Sequence, residues 1–165
     1  MFSQHSVPSR FLVLIGDMTV SFAMLEMIIR ALFRSMIQEN QRVGQILAAQ
    51  LSFNRLSAAT LSLYRDRHGD DDDFDALQDL LGRAATIEQE RNLITHSYWG
   101  ARRDADTITR LKSTSGLRRG YQFQTEDYDD DKLRSFVDQI KVLAADISHL
   151  QAELIATGKA FDNPW

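Results

Sequence analysis

The chain has 165 residues, 44% of them hydrophobic and 25% charged, which fits one soluble domain spanning 1–165 with a core of its own. It contains no cysteine, which excludes a disulfide framework, a thiolate metal site, a cysteine nucleophile and thiol redox chemistry, and suits a reducing cytosol. A formal net charge of -4 argues against a protein that coats nucleic acid in general, while leaving room for a local basic patch.

The only prolines are Pro8 and Pro164, so the interior lacks the residue that most reliably interrupts helices. Residues from about 10 to 38 carry Phe11, Leu14, Met18, Phe22, Leu25, Ile29, Leu32 and Met36 at steps of three and four, the pattern of one buried helix face. The apolar run Phe11 to Ile15 is bounded by Arg10 and Asp17, far short of the roughly 20 apolar residues of a membrane span. It has no basic leader region or cleavage site, so it reads as helix, with no membrane role and a cytoplasmic location expected.

A second helix, about 42 to 66, is expected to bury Val43, Ile46, Leu47, Leu51, Leu56, Leu61 and Leu63, with Gly44 as a mild weak point. The run "HGDDDDFD" then stops one helix and starts the next. Asp70 to Asp73 could be read as a divalent-metal site, but adjacent acids just before a helix are better explained by capping and by its positive N-terminal dipole.

The third helix, about 73 to 98, carries Phe74, Leu77, Leu80, Leu81, Ala84, Ile87, Ile94 and Tyr98 on one broad arc, with Arg91 near its middle. A guanidinium there must be paired, reach water along its aliphatic stem, or face a second subunit. "DTITRLKSTSGLRRGYQFQTEDY" alternates in part, with turns at Ser115-Gly116 and Gly120, and reads as a β-hairpin or ordered loop. Between residues 101 and 120, Arg102, Arg103, Arg110, Lys112, Arg118 and Arg119 outnumber Asp104 and Asp106. This is either a substrate-facing basic patch or a solvated hairpin whose charges protect an edge strand. Asp129 to Asp131 precede a last helix, about 130 to 157, with Leu133, Val137, Ile140, Ala144, Ile147 and Leu154 on one face and Gly158 as its stop. The expected fold is therefore all-α: an antiparallel bundle of about four helices, with a β-hairpin or loop inserted before the last.

The stretch "ERNLITHSYWG" puts Arg91, Asn92 and His96 where an apolar helix end would not choose them. Asn92 and His96 are four apart and therefore neighbours, whereas Arg91 and His96 are five apart, about 140° around an ideal helix. One helix does not easily aim both at one small group, but two copies meeting across a two-fold axis can. Spaced as R-N-x-x-x-H at the end of a helix, and continuing as "RNLITHSYW", these residues resemble the R-x(4 to 6)-H signature of the HEPN superfamily. There a polar residue commonly follows the arginine, and a small residue and then an aromatic follow the histidine. The resemblance implies a bundle of about four helices, homodimerisation that brings two motifs together, and in active members a metal-independent endoribonuclease without cofactor, often a toxin or defence effector controlled by an antitoxin or other regulatory protein. The alternative it implies is a non-catalytic HEPN-like dimer that binds RNA, a nucleotide or a protein partner.

The chemistry makes independent sense. Cutting RNA without metal needs a base for the ribose 2′-hydroxyl proton and a cation for the charge that builds on the phosphate. Histidine titrates near neutrality and suits the first role; arginine offers planar, permanently charged donors for the second. His96 is thus the candidate base or acid, Arg91 the phosphate stabiliser and Asn92 the orienting residue. Arg102, Arg103, Arg110, Lys112, Arg118, Arg119 and Tyr98 are candidates for substrate binding. The bland alternatives are that Arg91 pairs with Glu26 or Glu88, that His96 caps helix carbonyls, and that Tyr98 and Trp99 are packing groups or interface anchors. His5, His68 and His149 have no comparable company; His149 reads as a surface residue and His68 as a loop residue beside acids. No G-x-S-x-G, G-x-x-x-x-G-K-[ST] or G-x-G-x-x-G occurs, and no short helix pair with a basic recognition helix stands out.

Overall fold

A computed structural model describes residues 7–37, 41–101, 106–116 and 120–162. In chain order its elements are α1 (Ser9–Ser35), α2 (Gln41–Gln50), α3 (Phe53–His68), α4 (Asp72–Thr95), β1 (Tyr98–Ala101), β2 (Ile108–Gly116), β3 (Gly120–Tyr128) and α5 (Asp130–Ala156). The fold is mostly helical, as expected, but not all-α: a three-stranded antiparallel sheet, β1-β2-β3, precedes the last helix. Among the described residues there are five helices where four were expected, because the second breaks at Leu51 and Ser52.

The chain divides into two compact units, residues 22–88 with 140–165 and residues 1–21 with 89–139. The first is wholly helical among its described residues. Phe22, Leu25, Ile29 and Leu32 of α1 are buried at the expected spacing, as are Leu77, Leu81 and Ala84 of α4 and Ile140, Ala144, Ile147 and Leu154 of α5. The α2 reading is inverted. Val43, Ile46 and Leu47 are exposed, while Gly44 and Ala48, one turn apart, face inward. A Cβ at position 44 would stand 3.5 Å from the Arg34 side chain, an ordinary contact, and Arg30 donates to the carbonyl of Ala48, so it is the Gly44 and Ala48 side of α2 that meets α1. In α3 the buried row is Phe53, Leu56, Ser57, Thr60 and Tyr64; of the seven residues expected from 42 to 66 only Leu56 is fully buried.

Helix ends in this unit are closed by a polar knot. Gly69 takes φ +77° and its N–H donates to the Arg65 carbonyl, ending α3. Asp71 then caps α4 by accepting from the Phe74 N–H at 2.9 Å, the role expected of this acidic run. Its carboxylate also accepts from Tyr64 Oη at 3.0 Å and Lys159 Nζ at 2.8 Å, and Asp73 takes the same ammonium. His68, the last residue of α3, hydrogen-bonds through Nε2 to the carbonyl of Lys159. The Lys159 ammonium and the Phe74 N–H hold Asp71 down at a pKa of about 2, while burial and the hydrogen bond to Asp71 push Tyr64 up to about 12. Gly158, at φ +74°, ends α5 as expected, with the Lys159 N–H returning to the Leu154 carbonyl at 2.8 Å. Among the described residues no group of three His, Asp or Glu side chains is placed to hold a metal ion.

The second unit contains the sheet. Its core is Phe11, Leu14 and Met18 of α1, Ile94 of α4, Ile108 and Tyr128 of the sheet, and Leu133, Phe136 and Val137 of α5. β2 and β3 form the expected hairpin, with Gly116 opposite Gly120 and Ile108 opposite Tyr128; β1 adds to the far side of β2, with Trp99 opposite Arg110. Asp129 caps α5 by accepting from the Lys132 N–H at 2.8 Å, and Asp130 pairs with Arg10 at 3.0 Å. By length and composition α1 could cross a membrane, with a mean hydropathy of 1.9 over its most apolar stretch, a property that the run Phe11 to Ile15 alone understates. Its buried row from Phe11 to Leu32 is what packing uses of that apolar content.

Candidate functional site

The candidate motif occupies the end of α4 in the sheet unit. Arg91 stands in the helix row between Ile87 and Ile94, as expected, and is half-buried. Asn92 is half-buried and His96 exposed, and the His96 N–H donates to the Asn92 carbonyl at 3.1 Å, which carries the helical repeat one residue past Thr95. The next two carbonyls are satisfied by side chains: Ser97 Oγ donates to Leu93, and Trp99 Nε1 to Ile94 at 3.0 Å. This is how α4 stops without a glycine and passes into β1 within three residues. It is also why the third helix ends at Thr95 and not near 98, and why Tyr98, expected on the helix arc, is a strand residue with 77% exposure.

Because cross-strand partners share a face, the register sorts the sheet. Trp99, Ile108, Arg110, Glu126 and Tyr128 face inward. Arg110 is only 5% exposed; its guanidinium donates to Glu126 at 2.8 Å and stands 3.5 Å from Ser97 Oγ, directly beside the end of α4, while its buried Nε makes no hydrogen bond. Glu126 also accepts from Lys132 Nζ at 2.6 Å and Tyr128 Oη at 3.2 Å. These donors, Lys132 first, hold the Glu126 carboxyl below its usual range. Burial, and secondarily the Glu126 charge, push Glu90 the other way, and burial raises Tyr128 to about 12. Trp99 meets Tyr128 edge-on at 5.3 Å.

Comparison of the chain with family models, curated proteins and solved structures finds no match.

The structure therefore brings Asn92 and His96 together on the last turn of α4 and sets Arg110 beside that turn. Lys112 follows Arg110 on the same face and is half-buried, whereas Tyr98 lies on the opposite face. Arg102, Arg103, Arg118 and Arg119 lie outside the described residues. Glu26, one candidate partner for Arg91, is engaged by Arg30 at 2.6 Å. His149 is a surface residue beside Glu153, and His68 belongs to the knot described above. The sequence reading missed Glu90, Glu126, Lys132 and Tyr128. The spacing Glu126-x-Tyr128 marks two residues on one strand face, but only the β2–β3 register shows that Arg110 is opposite the first.

Proposed function

We propose that the chain is a metal-independent endoribonuclease of HEPN type, working as a homodimer whose two motifs form a composite site, in the cytoplasm, as a toxin or defence effector held in check by an antitoxin or other regulator. The observation that carries this reading is an exposed histidine, free of a packing role, placed by a helical hydrogen bond one turn beyond Asn92 and on the same helix end as a half-buried arginine. In the reaction, the imidazole of His96 takes the proton of the ribose 2′-hydroxyl, the 2′-oxygen bonds to the adjacent phosphorus as the bond from phosphorus to the 5′-oxygen breaks, and the 5′-oxygen takes a proton from solvent water as it leaves, the imidazolium returning its proton to solvent. The products are a 2′,3′-cyclic phosphate and a 5′-hydroxyl. Arg91 offers two parallel donors to the phosphate oxygens as charge builds there, and Asn92 orients imidazole or phosphate.

The test is incubation of purified native, Arg91→Ala and His96→Ala proteins with mixed RNA in EDTA, each checked for dimer formation. Cleavage by the native protein alone, leaving cyclic-phosphate ends, is the expected result. A folded dimer that leaves RNA intact would overturn the enzymatic reading in favour of a binding module on the same surface.

A further inference from the structure

The two faces of the sheet differ in what they carry. The outward face exposes the rings of Tyr98, Tyr121 and Phe123 and holds no cation among the described residues, whereas Arg110 and Glu126 turn inward, and Arg110 is buried. Burying a guanidinium opposite Trp99 is a costly way to fill an interior, because an apolar side chain of similar volume would do so with no charge to desolvate. What Arg110 adds is direction. Its Nη2 donates to Glu126 Oε2 at 2.8 Å, the other oxygen of that carboxylate accepts from Lys132 Nζ at 2.6 Å, and its Nη1 stands 3.5 Å from Ser97 Oγ. The Ser97 hydroxyl has one proton, which it gives to the Leu93 carbonyl, so toward Arg110 it can only accept. A single polar chain therefore runs from Lys132, near the start of α5, through β3 and β2 to a carbonyl in the last turn of α4.

We infer that Arg110 and Ser97 are positioning residues for His96, which hold the end of α4, and with it the imidazole, in one place relative to the sheet. The inference rests on the reading of His96 as the base proposed above for what that placement is worth to a reaction. Three observations carry it. The last turn of α4 has no basic residue of its own, although a cation is what the partial negative charge at a helix C-terminus favours; Arg110 supplies one from a neighbouring strand, a single hydroxyl away from the Leu93 carbonyl. The His96 N–H is bonded to the Asn92 carbonyl, directly before the Leu93 and Ile94 carbonyls that Ser97 and Trp99 close, so His96 lies inside the segment these side chains fasten. Lastly, His96 is exposed, so the backbone on either side of it, and not a packed surround, sets where the imidazole can reach. Helix ends fray where their last carbonyls are left open, and a displacement of about 1 Å at a reacting group can cost about a hundredfold in rate.

The experiment compares the native full chain with Ser97→Ala, Ser97→Thr, Arg110→Gln and, as a control weakened in the helical unit, Asp71→Asn. Two quantities are read: the exchange rate of the His96 backbone N–H by NMR, with no RNA present, and kcat and KM on mixed RNA in EDTA. Ser97→Ala breaks the chain without touching the Arg110–Glu126 pair, so the test stands even where Arg110→Gln fails to fold. Expected are His96 exchange about tenfold faster in Ser97→Ala and Arg110→Gln, kcat lower by about tenfold to a hundredfold at unchanged KM, recovery of both in Ser97→Thr, and native values of both in Asp71→Asn. Exchange at the native rate in Ser97→Ala overturns the positioning role, even if the native protein cuts RNA and the enzymatic reading survives. So does a raised KM at constant kcat in Arg110→Gln, which would put Arg110 against the substrate, or the same changes in Asp71→Asn, which would trace them to stability alone. Faster exchange that Ser97→Thr reverses, in a protein that never cuts RNA, upholds the positioning and overturns the enzymatic reading.

Discussion

Each of the two units contains a carboxylate shared by a basic side chain and a tyrosine hydroxyl, and the contrast between them is instructive. In the helical unit, Asp71 accepts from Tyr64, Lys159 and the Phe74 N–H, and Asp73 shares the ammonium. Charge and hydrogen bonding close on themselves, and the result is a fastening of three helix ends. In the sheet unit, Glu126 accepts from Arg110, Lys132 and Tyr128, but the bookkeeping does not close: Glu90 is a second half-buried carboxylate with raised proton affinity, and the Arg110 Nε is buried without a hydrogen bond. The same unit exposes His96 and three rings. Chemistry that is used up in holding the chain marks architecture; chemistry left over marks the place to look for function.

Four measurements can break or sharpen that contrast. The largest expected effect is catalytic: His96→Ala should lower RNA cleavage by about a hundred- to ten-thousand-fold, the usual worth of a positioned acid or base, with no change in melting temperature because the side chain is exposed. Second is Arg110→Ala, which removes a buried guanidinium from a carboxylate that is 40% exposed and keeps Lys132 and Tyr128 as donors, and should cost about 2 kcal/mol in urea unfolding. If it weakens RNA binding and leaves stability alone, Arg110 belongs to the substrate surface after all.

The third measurement concerns the knot. Asp71 has a folded pKa near 2, below its unfolded value of about 3.9, so its contribution is fully present above pH 4 to 5 and is lost as pH falls toward 2. Asn at position 71 can still cap α4 but cannot pair with Lys159. The melting-temperature gap between native protein and Asp71→Asn should therefore be constant near neutrality and close between pH 4 and pH 2. A gap independent of pH would show that the pair contributes nothing. Smallest is Gly158→Ala, which forces an L-residue into φ +74° at a cost of about 1 kcal/mol.

Much of the helical frame was legible because α1 and α5 spend their large apolar residues on the inside: every residue assigned to the buried faces of these two helices is buried, from Phe11 to Met36 and from Leu133 to Leu154. The α2 reading failed for the complementary reason. A periodic pattern says which residues share a face, not which face turns inward, and here the face of Gly44 and Ala48 is the buried one. The hairpin was visible in its alternation and glycines. β1 was not, since Tyr98 and Trp99 extend the apolar arc of α4, and only the capping of the Leu93 and Ile94 carbonyls by Ser97 and Trp99 shows that the helix has ended. At the candidate site, Arg91, Asn92 and His96 were named from a family resemblance carried by their spacing, whereas the Arg110–Glu126 pair depends on a register that no local pattern reveals.

The junction from α4 to β1 has a consequence for how the chain can vary. Strand side chains alternate faces residue by residue, so a single deletion or insertion between His96 and Tyr98 would turn Tyr98 inward and Trp99 outward, separate the indole from the Ile94 carbonyl, and set Arg110 opposite the wrong partner. Substitutions at exposed positions in this stretch leave that arrangement intact, but a change in its length does not.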